Sequence, residues 1–460
     1  MVNILAAVAL LASVGAATDS IDSVAPKDLA VTSKVSILGV AKTLAGGVMS
    51  YYLGNATTFA DLPKPYYWWE CGALLGAMLD YSYYTNDSTY DDAIATALMA
   101  NVGPAYDFMV PEHWLDEGND DQAFWAFAAL SAAEHDFEQP ASLTPAGVPS
   151  WTAISINVWE SMVGRWNTTL CGGGLSWQIF AENFNGLNYK NSASNGGFFH
   201  ISARLALLTG NQTYLDWAAK VWDWTTAVGL IDKDYNVFDG TDSADNCTTV
   251  NPLSFSYQNG IFLQGAAALA NLTGSDVWAG HAAGLLNSSR AFFTPSDNAT
   301  NIMWEHACEG VGRCTTDMKS FKGYLSRFMY ASSVVMPSLA SNISTYMRKS
   351  AVAAGQSCTG INMDGAPSAN GTTCGQRWYV GGFDENVGLG QELSALEAVH
   401  GLLVLDGVVD DVPSPTPSTT TTPTPSPTAS QQSGAHSMAP LDLRWTVLGM
   451  ACALFAFGMA

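Results

Sequence analysis

Two adjacent aspartates, Asp120 and Asp121, stand inside the stretch GNDDQAFWAF (Gly118–Phe127), where small polar residues give way to an almost wholly apolar and aromatic run. Two carboxyls this close cannot both ionise freely, and partial desolvation raises the pKa of one. One then keeps a proton for a leaving oxygen while the other is an anion able to attack carbon. Glycosidic-bond cleavage asks this of a carboxylate pair. Neighbouring side chains suit the separation of about 5 Å that goes with retained configuration better than the wider inverting gap. An Asp-Asp step is a weak signal alone, because acidic residues are common in first helical turns, where they meet the helix dipole and cap amides. Asp91-Asp92 and Asp410-Asp411 read in that way, as a solvated helix start and a linker. Asp120-Asp121 differs because Ala123, Phe124, Trp125, Ala126 and Phe127 follow it, placing the pair between a core and an opening.

The elements that position the pair follow from a repeat. Strand-like alternation is scarce, and apolar segments of helical period recur along the chain. Asn86…Tyr90, Gly147…Trp151, Gly210…Tyr214, Gly274…Trp278 and Asn342…Tyr346 each set a Gly or Asn four residues before an aromatic, with the aromatics 61, 63, 64 and 68 residues apart. Gly or Asn supplies the left-handed residue that ends a helix, and a nearby Ser, Thr or Asp caps the next. A second set of helices interleaves, starting near Tyr67, Asp120, Gly196, Gly260, Phe321 and Leu389, and the segment from Leu29 to Tyr52 completes the first set. Six helical hairpins, each needing neighbours on both sides, predict an all-α fold, a closed (α/α)6 barrel; an open solenoid of hairpins is the alternative. The second set (AFWAFAALSAA, FFHISARLALL) is apolar nearly all round, as an inner ring must be.

Inner helices running the same way bring their N-termini to one mouth. Trp68, Trp69, Trp177, Gln178, Lys190, Asn191, Asn195, Tyr257, Gln258, Asn259 and Lys322 fall there and are the expected substrate-binding residues, with Glu70, Lys319, Gln391, Glu392 and Trp378 nearby. Aromatic faces stack on pyranose C–H surfaces, and amides and charges address hydroxyls. In a chain with only 18 basic residues, Lys190 and Lys322 at a mouth point to a substrate or an acidic partner. The bland reading of the tryptophans is core packing. No cofactor or metal is expected, because His113, His200 and His306 lack ligand spacing and no cysteine pair is CxxC.

Cysteine usage is that of an oxidising compartment. Cys308–Cys314 and Cys358–Cys374 bracket glycine-rich loops as local pairs, Cys171–Cys247 would join two longer loops, and Cys71 is left as a thiol inside an apolar helix. The net charge of −23 excludes a nucleic-acid partner. Residues 1–17 read as a signal peptide, the alternative being a buried first helix. A globular domain over 18–411 is followed by a Ser/Thr/Pro-rich stalk at 412–433. Residues 434–460, ending in the apolar run Trp445–Ala460, read as a GPI-attachment propeptide, with a short membrane anchor as the alternative. Ten N-x-S/T sequons, from Asn55 to Asn370, fit a secreted, GPI-anchored protein on the outer face of the plasma membrane or in the cell wall.

YYWWECGALLGAMLDY (Tyr66–Tyr81), GNDDQAFWAF, CGGGLSWQI (Cys171–Ile179), YKNSASNGGFF (Tyr189–Phe199), SYQNG (Ser256–Gly260) and GQELSALEAV (Gly390–Val399) together resemble glycoside hydrolase family 76, the endo-α-1,6-mannanases, in its fungal GPI-anchored cell-wall branch. The resemblance implies an (α/α)6 barrel and a retaining mechanism with Asp120 as nucleophile and Asp121 as acid/base. It implies α-1,6-mannan or a GPI-anchor glycan as substrate, and transfer of mannoproteins onto wall β-glucan. The order Tyr257-Gln258-Asn259 departs from the family's usual Tyr-Asn-Gln. Three readings compete: a retaining mannosidase or transglycosylase, a catalytically silent mannan-binding module, and a structural mannoprotein. The intact pair favours the first over the second, and the clustered Trp, amide and Lys residues stand against the third.

Overall fold

The computed structural model describes residues 22–52, 61–115, 117–139, 148–361 and 371–405. The expected signal peptide, stalk and GPI-attachment segment, the turn glycine Gly147, and the sequons at Asn55 and Asn370 lie outside the described residues. Six inner helices form a closed ring: α2 (Trp68–Thr85), α4 (Asn119–Glu134), α6 (Ser192–Thr209), α8 (Ser256–Thr273), α10 (Phe321–Val335) and α12 (Leu389–His400). Each packs on the next, and α12 returns to α2. The outer helices are α1 (Lys34–Met49), α3 (Asp91–Ala100), α5 (Trp151–Arg165), α7 (Gln212–Ala227), α9 (Asp276–Ser288) and α11 (Ala340–Ser357). Helix α1 lies on α12, α3 on α2, α5 on α4, α7 on α6, α9 on α8 and α11 on α12 and α10. This is the (α/α)6 barrel, closed rather than an open solenoid.

Local chemistry explains the turns. Helices α2, α6 and α8 end on left-handed Asn86, Gly210 and Gly274. Asn211 and Ser275 then cap α7 and α9, their side chains accepting the amides of Thr213 and Val277. Asn342 breaks the pattern. It lies in the first turn of α11, because α10 stops at Val335 ahead of Pro337 and needs no left-handed cap. Helices α6 and α8 also begin four residues earlier than Gly196 and Gly260, at Ser192 and Ser256.

The inner helices are buried on nearly every side, as their composition requires. Charge ties them together at the end away from their N-termini. Arg327 of α10 pairs with Asp80 of α2 at 2.7 Å and donates to Gly76 O and to Ser131 Oγ of α4. Arg204 of α6 grips Glu134 of α4 with two bonds of 2.9 and 2.7 Å and shares Ser131 Oγ. The Arg327 guanidinium and His135 hold the Asp80 carboxyl well below the usual range against its burial.

A small antiparallel sheet decorates the opposite end: β1 (Tyr189–Asn191), β2 (Gly240–Asp242) and β3 (Val250–Asn251), with Lys190 opposite Thr241 and Thr241 opposite Val250. Cys171–Cys247 staples the loop before β1 to the β2–β3 connection; Cys308–Cys314 and Cys358–Cys374 also form, and Cys71 is buried in α2. Among the described residues, no helix is long and apolar enough to cross a membrane.

Candidate active site

The N-terminus of α4 is held at the rim by backbone. Gly118 bridges Gln178, the Asn119 amide donates to Trp177 O at 2.8 Å, and the Trp177 amide donates to Tyr189 O at 2.6 Å. Arg165 and the Ser176 carbonyl grip the Asn119 side chain. This fixes where the next two residues project. Both Asp120 and Asp121 are half-buried. Asp120 Oδ1 accepts the Asp121 amide at 3.2 Å, and Oδ2 accepts Asn191 Nδ2 at 3.0 Å. Asp121 Oδ2 folds back onto the Gly118 amide at 2.5 Å.

Gly118 is glycine for reasons of space. Its backbone, at φ −104 and ψ 167, is open to any residue. A Cβ there would strike Asp120 Oδ1 and lie 2.9 Å from Asp121 Oδ2, so both carboxyls converge on this one residue.

Both carboxyls are shifted, unequally. Desolvation pushes Asp120 up to about 6; the Asn191 bond and backbone amides pull it down, and the charge of Asp239 adds to the rise. Asp121 is raised well above the usual range by desolvation, then by the negative charge of Asp120, with Glu117 adding to it and the Gly118 amide opposing. The two carboxyls titrate as a pair, both held above the ordinary carboxyl range. The arrangement can present an anion and a proton donor side by side near neutral pH.

Other expected residues divide. Asn191 touches Asp120 and also accepts the Ser194 amide, capping α6. Tyr257 is half-buried, packs on Phe321 at 4.1 Å, and has its hydroxyl pKa raised by burial and then by Asp239 and Asp120, so it lies beside the pair. Gln258 donates to Asp239 Oδ1 at 3.0 Å. Trp69 is half-buried over Phe124 and Tyr324, and Trp177 is 37% exposed at the rim. Gln178 accepts from Asn183.

Five do not face the opening. Lys190 is buried, its ammonium donating to the carbonyls of Asn167, Leu170, Gly173 and Gly174, and it holds that loop from inside. Lys322 is buried in an ion pair with Glu309 at 2.7 Å, bonds Gln376 O and lies over the Trp378 ring. Trp68 is core, stacked on Trp125 and bonded to Asn101. Asn195 bonds the backbone of Leu175 and Asn191, and Asn259 bonds Leu285 O and Ser288 Oγ of α9. A lysine at a helix start was legible as a position. That its head would satisfy carbonyls of a loop distant in sequence was not.

Sequence reasoning missed Asp239. It accepts from Tyr189 OH at 2.6 Å, Asn251 Nδ2 at 3.0 Å and Gln258 Nε2, and acts on Asp120 through its charge. Its only sequence signal, Asp239-Gly240, reads as an ordinary turn. Asp317, felt electrostatically by Glu70, Tyr257 and Tyr324, was missed as well.

A paired anion and proton donor at the mouth of an (α/α)6 barrel has the make-up of a glycoside hydrolase. The chain belongs to glycosyl hydrolase family 76, whose sequence profile matches residues 36–415. It is 41% identical over 384 residues (83% of this chain, 82% of the relative) to mannan endo-1,6-alpha-mannosidase DCW1 of Candida glabrata. It is 38% identical over 384 residues (82% and 80%) to mannan endo-1,6-alpha-mannosidase DFG5 of Saccharomyces cerevisiae. The crystal structure of Dfg5 from Chaetomium thermophilum in complex with glucosamine superposes with a TM-score of 0.75 at 38% identity, covering 82% of this chain and 92% of that one. The GH76A alpha-1,6-mannanase of Salegentibacter shares the fold at 20% identity, with a TM-score of 0.62 over 80% of this chain and 99% of that one.

Proposed function

We propose that this chain is a retaining endo-α-1,6-mannosidase that also transfers glycan, with Asp120 as nucleophile and Asp121 as acid/base. The observation that carries the reading is the convergence of the two carboxyls on Gly118, where burial raises both above the ordinary carboxyl range. The names of relatives at 38–41% identity support α-1,6-linked mannose as the substrate. In the first step Asp120 attacks the anomeric carbon, and Asp121 gives its proton to the departing oxygen. In the second, Asp121 takes a proton from water or a sugar hydroxyl, whose oxygen displaces Asp120. Asn191 holds Oδ2 of Asp120 and leaves its other oxygen bonded only locally. Tyr257, Trp69 and Asp239 line the sugar on the nucleophile's side, and the fully buried Gln258 holds Asp239 from behind.

In the wider reading the enzyme is secreted and GPI-anchored at the plasma membrane or wall. It acts there on α-1,6-mannan or a GPI-anchor glycan and joins mannoproteins to wall β-glucan. The test is to incubate the protein with α-1,6-mannooligosaccharides, follow the first-formed anomer by NMR and the product lengths by mass spectrometry, and repeat with Asp120→Asn and Asp121→Asn. Shortened and lengthened α-anomeric products, lost in both variants, are expected. Glycan binding without turnover in the wild type would leave a mannan-binding module instead.

A further inference from the structure

Of the tryptophans among the described residues, only Trp114 (43%) and Trp177 (37%) are exposed, and both belong to one stretch of rim. Trp114 meets the Phe180 ring edge-on at 5.3 Å, and Leu115 beside it is 42% exposed. The two segments are stitched together: Asn183 Nδ2 donates to Leu115 O and to Gln178 Oε1. They run straight into the active site, through the Gly118–Gln178 bridge and the Gly118 amide that holds Asp121. Tyr67 and Tyr106 are exposed as well, but the two exposed tryptophans share this one stretch, and apolar surface of that kind calls for an occupant.

The direction of the site identifies it. Asp120 is bonded by Asn191 and lies near Asp239 and Tyr257, on the side of the sheet. Asp121 Oδ2 is held by the Gly118 amide, and Gly118 in turn bridges Gln178, so the acid/base is tied directly to the aromatic stretch. In a retaining reaction the acid/base faces the leaving group and then the incoming hydroxyl. Trp114, Phe180 and Trp177 therefore flank the path of the acceptor. Aromatic faces with the amides of Gln178 and Asn183 suit a pyranose, and the neighbouring Glu112 and Glu182 favour an uncharged one.

We propose that Trp114, Phe180 and Trp177 form the acceptor platform, which seats a neutral glycan and sets how far the reaction runs to transfer rather than hydrolysis. The inference rests on the function proposed above. On the platform an acceptor hydroxyl attacks the anomeric carbon of the mannosyl ester: the bond to Asp120 breaks, the new glycosidic bond forms, and the hydroxyl proton passes to Asp121. Water would do the same chemistry but gains nothing from aromatic faces.

The test uses α-mannosyl fluoride as donor, whose leaving group needs no platform, with a β-1,3-glucan trisaccharide or α-1,6-mannotriose as acceptor. Wild type, Trp114→Ala, Phe180→Ala and Trp114→Tyr are compared by the ratio of transfer product to free mannose, which cancels any change in donor cleavage. The two alanine variants are expected to lower the ratio by about five- to tenfold and raise the acceptor KM, with Trp114→Tyr restoring most of it. Unchanged ratios in variants that still release fluoride, or a wild type that gives free mannose alone, would overturn the platform. A wild type that releases no fluoride would instead sink the proposed function.

Discussion

Replacing Gly118 by alanine tests the site's geometry with a single methyl group. The added carbon would overlap Asp120 Oδ1 and lie 2.9 Å from Asp121 Oδ2 and 3.0 Å from Trp177 O. The Trp177 carbonyl is fixed by the Asn119 amide, so the carboxyls must yield. Asp120 has to retreat by about 1 Å, a displacement that costs on the order of 10²-fold in rate, or about 2.7 kcal/mol of barrel-mouth organisation at the transition state. Stability changes less. The backbone accepts alanine, which gains about 0.4–1 kcal/mol through the unfolded chain, against an overpacking cost of about 1–3 kcal/mol. The assay is kcat on α-1,6-mannooligosaccharides beside thermal melting. Gly164→Ala in α5, with open space around its Cβ position, serves as the control. A folded Gly118→Ala enzyme within threefold of wild-type kcat would refute the claim that both carboxyls depend on this glycine.

Four further outcomes follow from the same structure. The acid limb of kcat/KM should fall near pH 6, where Asp120 gains its proton, and Asn191→Ala should move it to higher pH by removing a bond that favours the anion. Because the folded pKa of Asp121 lies above its unfolded value, the stability linked to it is complete below the ordinary carboxyl range and is lost as pH rises through the raised pKa. Asp121→Asn should therefore be inactive yet melt about 2–4 °C higher at pH 7, with the gain shrinking as the pH falls toward 4. Lys190→Met should lower stability by at least ~2 kcal/mol, since buried carbonyls lose their donor, rather than merely raise KM. Arg327→Met should cost about 3–5 kcal/mol in chemical denaturation by stranding Asp80, with kcat per folded molecule little changed.

The sequence revealed what depends on local chemistry and on period. Left-handed caps at Asn86, Gly210 and Gly274 and the apolar second helices gave the hairpins, and the spacing of the hairpins gave the barrel. The carboxylate pair was legible because an apolar helix follows it directly. Residues joined only through tertiary contact were harder to place. Lys190 and Lys322 looked like mouth cations, but burial made each a structural donor, one to carbonyls and one to Glu309. Trp68 and Trp69 are neighbours in the chain, yet helical rotation sends one into the core against Trp125 and leaves the other over Phe124. Asp239 acquires its surroundings from β1, β3 and α8, three elements that no local pattern links.

In the proposed retaining reaction, Asp120 carries the sugar from the first half to the second as a covalent ester. The most direct test is to trap that intermediate with a fluorinated mannosyl fluoride that forms the ester quickly and loses it slowly. Digestion and mass spectrometry of the segment Gly118–Phe127 should then find one deoxyfluoromannosyl group on Asp120. The group should be absent from Asp120→Asn and should be released on adding a sugar acceptor. A label on another residue, or turnover with inversion and no label, would contradict the account.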